Sequence, residues 1–243
     1  MEWQKYTALQ ESWGRIFGLL IFGMFLIRQL LPESLGGMYP GVSDMLIFVR
    51  WCLVTFLFVL FFHAYLKRTP ALSLANRPIE VLLPLICAPL PIIMIVLNQL
   101  YYQQEGLRVF LMDIGLDHLF SLWVENSNAR VHWGLVVMAI GEIITVAGMW
   151  HLRSSFSIFS EARALVLKGL YRYVRHPLYL GEIISVWGYA VLLPNAITMV
   201  SATAFTVLQI IRAKVEEAKL LQAHPHYANY QNTTGFLIPK IIK

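Results

Sequence analysis

The chain has 243 residues, of which 58% are hydrophobic and only 14% charged, against roughly 45–50% and 25% in a typical soluble domain. That apolar excess excludes an ordinary water-soluble fold, and a net charge of +5 is too small to mark a nucleic-acid binder. Cys52 and Cys87 fall inside apolar stretches and read as packing residues; no CxxC or Cys/His cluster suggests a bound metal.

A helix that crosses the hydrocarbon layer needs about 20 apolar residues. The first such run is Ile16 to Leu31, extended by Trp13 and Gly14, and the second is Met45 to Leu66. The third, Ile79 to Leu100, carries Pro84, Pro89 and Pro91 and should kink. Lipid-embedded helices tolerate proline where neighbours satisfy the freed carbonyls. Between Tyr101 and Arg130 the chain is amphipathic through Leu107, Phe110, Leu111, Leu116, Leu119, Phe120 and Leu122, the pattern of an interfacial helix. Val131 to Leu152 is the fourth run. From Leu178 to Ile211 lies an apolar stretch too long for one span, interrupted at Pro194-Asn195, which reads as a helical hairpin. The expectation is an all-α integral membrane protein of about six spans. Residues 1–130 would form the N-terminal helices and loops, and 131–243 a C-terminal core.

Lysine and arginine gather in loops on the cytoplasmic side. With the N-terminus placed inside, the inner segments hold Lys5 and Arg15; Lys67, Arg68 and Arg77; Arg153, Arg163, Lys168, Arg172 and Arg175; and Arg212, Lys214, Lys219, Lys240 and Lys243. The outer segments hold Arg108 and Arg130. Both ends are therefore expected in the cytoplasm of a multi-pass protein of a cell inner membrane or the endoplasmic reticulum, and the Asn232-Thr233-Thr234 sequon reads as accidental. Arg28-Gln29 near the end of the first run, without a small-residue cleavage site, argues against a removable signal peptide.

Two ionisable residues interrupt the spans. Arg50, one turn into the second, is expected to snorkel to the headgroups. Glu142, near the middle of the fourth, needs a partner or a ligand cavity. No phosphate-binding glycine loop, HExxH pair or dinucleotide fingerprint is present. The informative polar sequence follows His151.

That sequence runs Leu165-Val166-Leu167-Lys168-Gly169-Leu170-Tyr171, then Arg175-His176-Pro177-Leu178-Tyr179-Leu180-Gly181. Asn195 follows, then Arg212 with Glu216-Glu217 and Leu220, then Tyr227, Tyr230 and Ile238-Pro239. This order of elements resembles the isoprenylcysteine carboxyl methyltransferase family, whose members carry LV-x-x-G-x-Y, RHPxYxG, a hairpin turn with Asn, RxxxEExxL, YxxY and a final IP. The resemblance covers the segment from Leu152 to the end; the N-terminal half matches only as membrane helices. It implies an S-adenosylmethionine-dependent methyltransferase with a cytoplasmic cofactor-binding region. It also places Leu165, Val166, Tyr171, His176, Pro177, Tyr179 and Glu216 in the cofactor pocket and Arg212 on the substrate.

The residues make physical sense beside the resemblance. A residue before proline is pushed out of the helical region, while proline suits the first helical position. The chain should therefore break at His176 and restart at Pro177, offering free backbone N–H groups to an anion. Gly169 permits a turn, and Tyr171 and Tyr179 offer aromatic surface for adenine. Arg212 and Glu216, four apart, share a helix face, whereas Glu217 points about 100° away and reads as a solvated charge. A sulfonium already activates the methyl group, so alignment of the nucleophile is the main task. A carboxylate acceptor is ionised at neutral pH and needs no base, and a guanidinium can hold it in two-point contact. This favours carboxyl O-methylation of a hydrophobic, isoprenylcysteine-like acceptor. Methylation of a phospholipid or another N- or S-acceptor is the alternative, for which Glu142, Glu182 or His176 would serve as base. A reductase akin to the membrane sterol reductases, with a nicotinamide cofactor, is the third reading. Arg163 stands where the family often has histidine, and the loop from Arg153 to Ala162 is shorter than in the eukaryotic enzymes.

Overall fold

A computed structural model describes residues 2–31, 44–123 and 127–240; Lys243 of the inner basic set lies outside them. Their helices are α1 (Glu2–Leu30), α2 (Asp44–Leu66), α3 (Pro78–Cys87), α4 (Leu90–Gln103), α5 (Glu105–Asp113), α6 (Asn128–Leu152), α7 (Pro177–Leu192), α8 (Ala196–Ala223) and α9 (Tyr227–Thr233). Among the described residues β pairing is limited to two isolated bridges, Ser73 with Ala162 and Val174 with Gly235. Helices are what lipid permits, because each satisfies its own backbone polar groups.

Five stretches are long and apolar enough to cross a membrane: Glu11–Leu30, Met45–Leu66, Pro78–Gln103, Asn128–Ser155 and Ala196–Ala223. The sixth expected span, α7, has 16 residues, about 24 Å at 1.5 Å per residue. It is the short arm of the hairpin with α8. The third span bends as its prolines demand, parting into α3 and α4 around Ala88 and Pro89. Pro84 within α3 cannot donate to the carbonyl of Glu80; the backbone N–H of Ser160, from a distant segment, donates to it instead at 3.1 Å. The interfacial reading of 101–130 is consistent with α5, none of whose residues is buried.

α6 and α7 form the spine of the bundle. They approach backbone to backbone over Gly134, Gly141 and Gly148 on one helix and Gly181 and Gly188 on the other. A Cβ on Gly141 would lie 2.5 Å from the carbonyl oxygen of Gly181, and one on Gly188 would lie 2.6 Å from the amide nitrogen of Met138. Small residues are the means of close helix packing in lipid, where no hydrophobic force draws helices together. Gly141→Leu should therefore cost roughly 3 kcal/mol, the upper end of the usual overpacking cost, seen as a marked fall in unfolding temperature in detergent. An unfolding temperature equal to wild type would mean the two helices do not meet there.

The α7–α8 turn is held by Asn195. It is fully buried and accepts from the backbone N–H of Thr198 at 2.9 Å. Its amide nitrogen donates to Asn98 Oδ1 at 2.7 Å. An asparagine at this helix start thus caps α8 and ties it to α4. Arg50 departs from the snorkelling expectation: it turns inward, and its guanidinium bonds both oxygens of Glu142 at 2.6 and 3.2 Å. Glu142 thereby has its structural partner, which is how a charge inside a bundle is made tolerable.

Candidate functional site

α6 ends at Leu152, and the chain crosses the end of the bundle as an irregular strap before α7 begins. The strap is pinned on one side by the backbone bonds of Ala162 to Ser73 and Leu72, 2.9 and 2.8 Å. It is pinned on the other by the Tyr65 hydroxyl, which accepts from the N–H of Ile158 at 2.8 Å. Beneath it lies a buried charge cluster. Arg68 Nη2 donates to Glu161 at 2.5 Å, and Arg163 donates to Glu161 at 2.8 Å and to Glu11 at 3.2 Å. Arg163, only 2% exposed, thus anchors the strap to α1 from the position where the resembled family often has histidine. The strap then turns at Gly169, whose φ is +60°, and a Cβ there would lie 2.2 Å from Nε2 of His151. Both the left-handed backbone and the space require glycine.

α7 starts at Pro177, as proline after a non-helical histidine predicts; His176 has φ −125° and ψ 59°. Its imidazole stacks on the ring of Tyr179 at 5.5 Å. Strap, α7 start, α8 end and α9 line a cleft that opens to solvent, with about 770 Å³ of empty space counting its mouth. Of the residues expected in a cofactor pocket, Leu165, Val166, Tyr171, His176, Tyr179 and Glu216 all line this cleft. Pro177 does not line it; it begins the helix under its floor. Tyr230, whose hydroxyl donates to the carbonyl of Tyr171 at 2.6 Å, closes the far wall. Burial pushes the phenol of Tyr230 up to about 12 and that of Tyr171 higher still, so both stay neutral at physiological pH.

Arg212 stands directly behind the lining. Its Nε donates to Glu216 at 3.2 Å, its Nη2 donates to the carbonyl of Ile158 at 2.7 Å, and its guanidinium lies 5.0 Å over the ring of Tyr179. The Tyr179 hydroxyl donates to the same Glu216 oxygen. The Arg212–Glu216 pair is therefore no exposed i,i+4 bridge: Arg212 is buried and Glu216 half-buried, and the pair joins both groups to the cleft floor.

Glu217 is where the expectation fails. It is buried, not solvated, at 6% exposure. Arg175 Nε donates to it at 2.5 Å, His176 Nε2 lies 3.1 Å away, and Gln231 Nε2 donates at 2.9 Å. Arg175 in turn donates to the carbonyls of Gln231 and Thr234, and its backbone N–H to Gly235 at 2.8 Å. One carboxylate thus binds the Arg-His-Pro corner to the C-terminal segment and engages one nitrogen of the His176 ring.

Residues 129–227, somewhat less than half of the chain, match the phospholipid methyltransferase family. The protein-S-isoprenylcysteine O-methyltransferase of Homo sapiens is 29% identical over 159 residues, 56% of this chain and 56% of that protein. The protein-S-isoprenylcysteine O-methyltransferase A of Arabidopsis thaliana is 37% identical over 91 residues, 35% and 42% of the two chains. The methanethiol S-methyltransferase of Crocosphaera subtropica is 29% identical over 132 residues, 52% and 51%. The chain spans about half the length of these curated relatives. The matched region runs from the start of α6 to the start of α9 and holds the lining residues of the strap, α7 and α8, while Tyr230 lies beyond it.

Proposed function

We propose that this chain is an S-adenosylmethionine-dependent membrane methyltransferase that esterifies the carboxylate of a hydrophobic, isoprenylcysteine-like acceptor. The observation that carries the reading is the seating of the Arg212 guanidinium against Tyr179 and Glu216 at the floor of the cleft. Its Nε and Nη2 are engaged, and Nη1 has no hydrogen-bond partner among the described residues. The relatives' names point to methyl transfer onto a carboxylate or a thiol.

The lining of the cleft suits S-adenosylmethionine in its chemistry. The ligand would supply a methyl group already activated on a sulfonium. Tyr171 and Tyr179 give faces that suit adenine or a cation, and Glu216 suits an ammonium or ribose hydroxyls. The first N–H groups of α7, at Leu178 and Tyr179, have no partner within the helix and suit a carboxylate. The acceptor carboxylate is ionised at pH 7, so Arg212 has only to hold and aim it. The acceptor oxygen held by Arg212 would take the methyl group as its bond to sulfur breaks toward sulfur, and this chain would need to move no proton. Charged residues at the cleft end, among them Arg153, Lys168 and Arg172, favour the cytoplasmic side for this cleft. A soluble cofactor and a lipid-borne acid would then meet at the membrane face.

The curated S-methyltransferase relative favours a thiol acceptor as a second reading. A thiol must lose a proton to become a good nucleophile, and Glu182 on α7, whose charge acts on Arg212, is the carboxylate this reading assigns to that task.

Ligand binding tests the cofactor half of the proposal. Titration of the detergent-solubilised protein with S-adenosylmethionine should show saturable binding, and Glu216→Gln should weaken it by at least tenfold while NADPH has no effect. Saturable NADPH binding without S-adenosylmethionine binding would turn the site into that of a reductase.

A further inference from the structure

Among the described residues two carboxylates line the cleft, Glu216 on α8 and Glu161 on the strap. The side chain of Glu161 is 5% exposed, and its two oxygens are treated differently. Oε2 accepts from Arg68 Nη2 at 2.5 Å, from Ser157 Oγ at 2.9 Å, and from Arg163 Nε and Nη2 at 3.1 and 2.8 Å. Oε1 has no hydrogen-bond partner among the described residues, and it is not shut off from solvent, so it opens on the cleft. The four bonds on Oε2 hold the carboxylate still, and an acceptor already fixed in place costs a ligand little ordering. A histidine at 163, as the resembled family often has, could not give one oxygen the two donors that Arg163 does.

The charges decide which donor Oε1 suits. Arg68 and Arg163 share Glu161, Glu11 is the other acid of the cluster, and Arg15 bonds the carbonyl of Arg68 at 3.2 Å. A ligand ammonium placed here would meet three guanidinium groups against two carboxylates, a repulsion strengthened by burial. A neutral hydroxyl meets none. Glu216 pairs with a single guanidinium, that of Arg212, and is the better partner for an ammonium.

We infer that Glu161 is a cofactor-binding residue whose Oε1 accepts from the ribose hydroxyls of S-adenosylmethionine, leaving Glu216 to the ammonium. Arg68 and Arg163 act through it as positioning residues. Arg68 and Glu11 lie outside the stretch that matches the family, so the N-terminal helices contribute to the site by way of this carboxylate. The inference rests on the cofactor reading and divides the two acids of the cleft between the ligand's two donor groups.

The test is calorimetric titration of the full chain in detergent with S-adenosylhomocysteine and with its analogue lacking both ribose hydroxyls. Wild type should bind the first about tenfold or more tightly, the worth of a hydrogen bond to a charged group. Glu161→Gln should erase that preference by weakening the first ligand alone. Glu161→Asp, which keeps the charge that both guanidinia need and draws the carboxylate back by one methylene, should do the same and serves should the first variant not fold. Glu216→Gln should weaken both ligands alike and keep the preference. Equal binding of the two ligands by wild type, or a preference that survives both Glu161 substitutions, overturns the inference. Loss of the preference in Glu216→Gln would move the hydroxyls to Glu216 and overturn it as well. Folded wild type that binds neither S-adenosylmethionine nor S-adenosylhomocysteine overturns the cofactor reading itself.

Discussion

Arg212→Lys is expected to lower kcat/KM for a carboxylate acceptor about 100-fold while cofactor affinity changes by less than about threefold. Lysine keeps the positive charge that Glu216 and the Tyr179 ring face, so the floor of the cleft survives. What it loses is the planar fork that can grip a carboxylate at two points. A nucleophile held loosely by a single point charge is misplaced, and misplacement of about 1 Å costs about 10² in rate. Arg212→Ala should lose more, about 10³-fold, comparable to removal of an electrostatic donor from other active sites. Single-turnover rates at saturating cofactor, alongside cofactor titrations, separate the two effects. Should the whole loss fall on cofactor affinity, Arg212 belongs to the cofactor site and the acceptor must be held elsewhere.

Glu217→Ala should have the largest effect on stability, on the order of 3–5 kcal/mol, because it leaves a buried guanidinium without its counter-charge. The C-terminal segment should then loosen from the Arg-His-Pro corner, giving a lower unfolding temperature and faster proteolysis after Thr233. Glu217→Gln, which keeps the shape and one acceptor oxygen, should lie between this variant and wild type. Its neighbour differs in its main effect: Glu216→Gln should lose cofactor binding, with a smaller loss of stability than Glu217→Ala. A Glu217→Ala protein as stable and as protease-resistant as wild type would show that the corner is held by something other than this carboxylate.

These adjacent glutamates also show what a sequence can and cannot disclose. Glu216 was readable because its partner Arg212 lies one turn away on the same helix. Glu217 was not, because its partners arrive from Arg175 and Gln231, segments that fold over the end of α8. Nothing in local periodicity says that a 100° rotation from a functional face leads to another buried surface. Arg50 and Glu142, 92 residues apart, escaped pairing for the same reason. The spans were legible because lipid makes length and apolarity nearly sufficient to define a helix. The proline-driven break of the third span and the start of α7 at Pro177 were legible because proline acts locally. The glycines of α6 and α7 recur at intervals of seven in plain view. Their meaning depends on which helix lies opposite, and that is a property of the bundle alone.

All the pocket residues expected from the motif except Pro177 converge on one cleft, although they come from the strap, α7 and α8. Motif spacing carried that information, since the strap and hairpin leave little freedom for where these residues can meet. Arg163 and Glu161, by contrast, form a charge cluster with Arg68 and Glu11, and only the docking of α1 and α2 against the strap brings those four together.

The most direct test of the account is the chemical fate of a transferred methyl group. The purified protein in detergent would be given methyl-labelled S-adenosylmethionine with N-acetyl-S-farnesylcysteine in one reaction and phosphatidylethanolamine in another. The account predicts label in the farnesylated product that mild alkali releases as methanol, the signature of a methyl ester. Label confined to phosphatidylethanolamine, or alkali-stable in either product, would contradict it and assign the cleft to nitrogen or sulfur methylation.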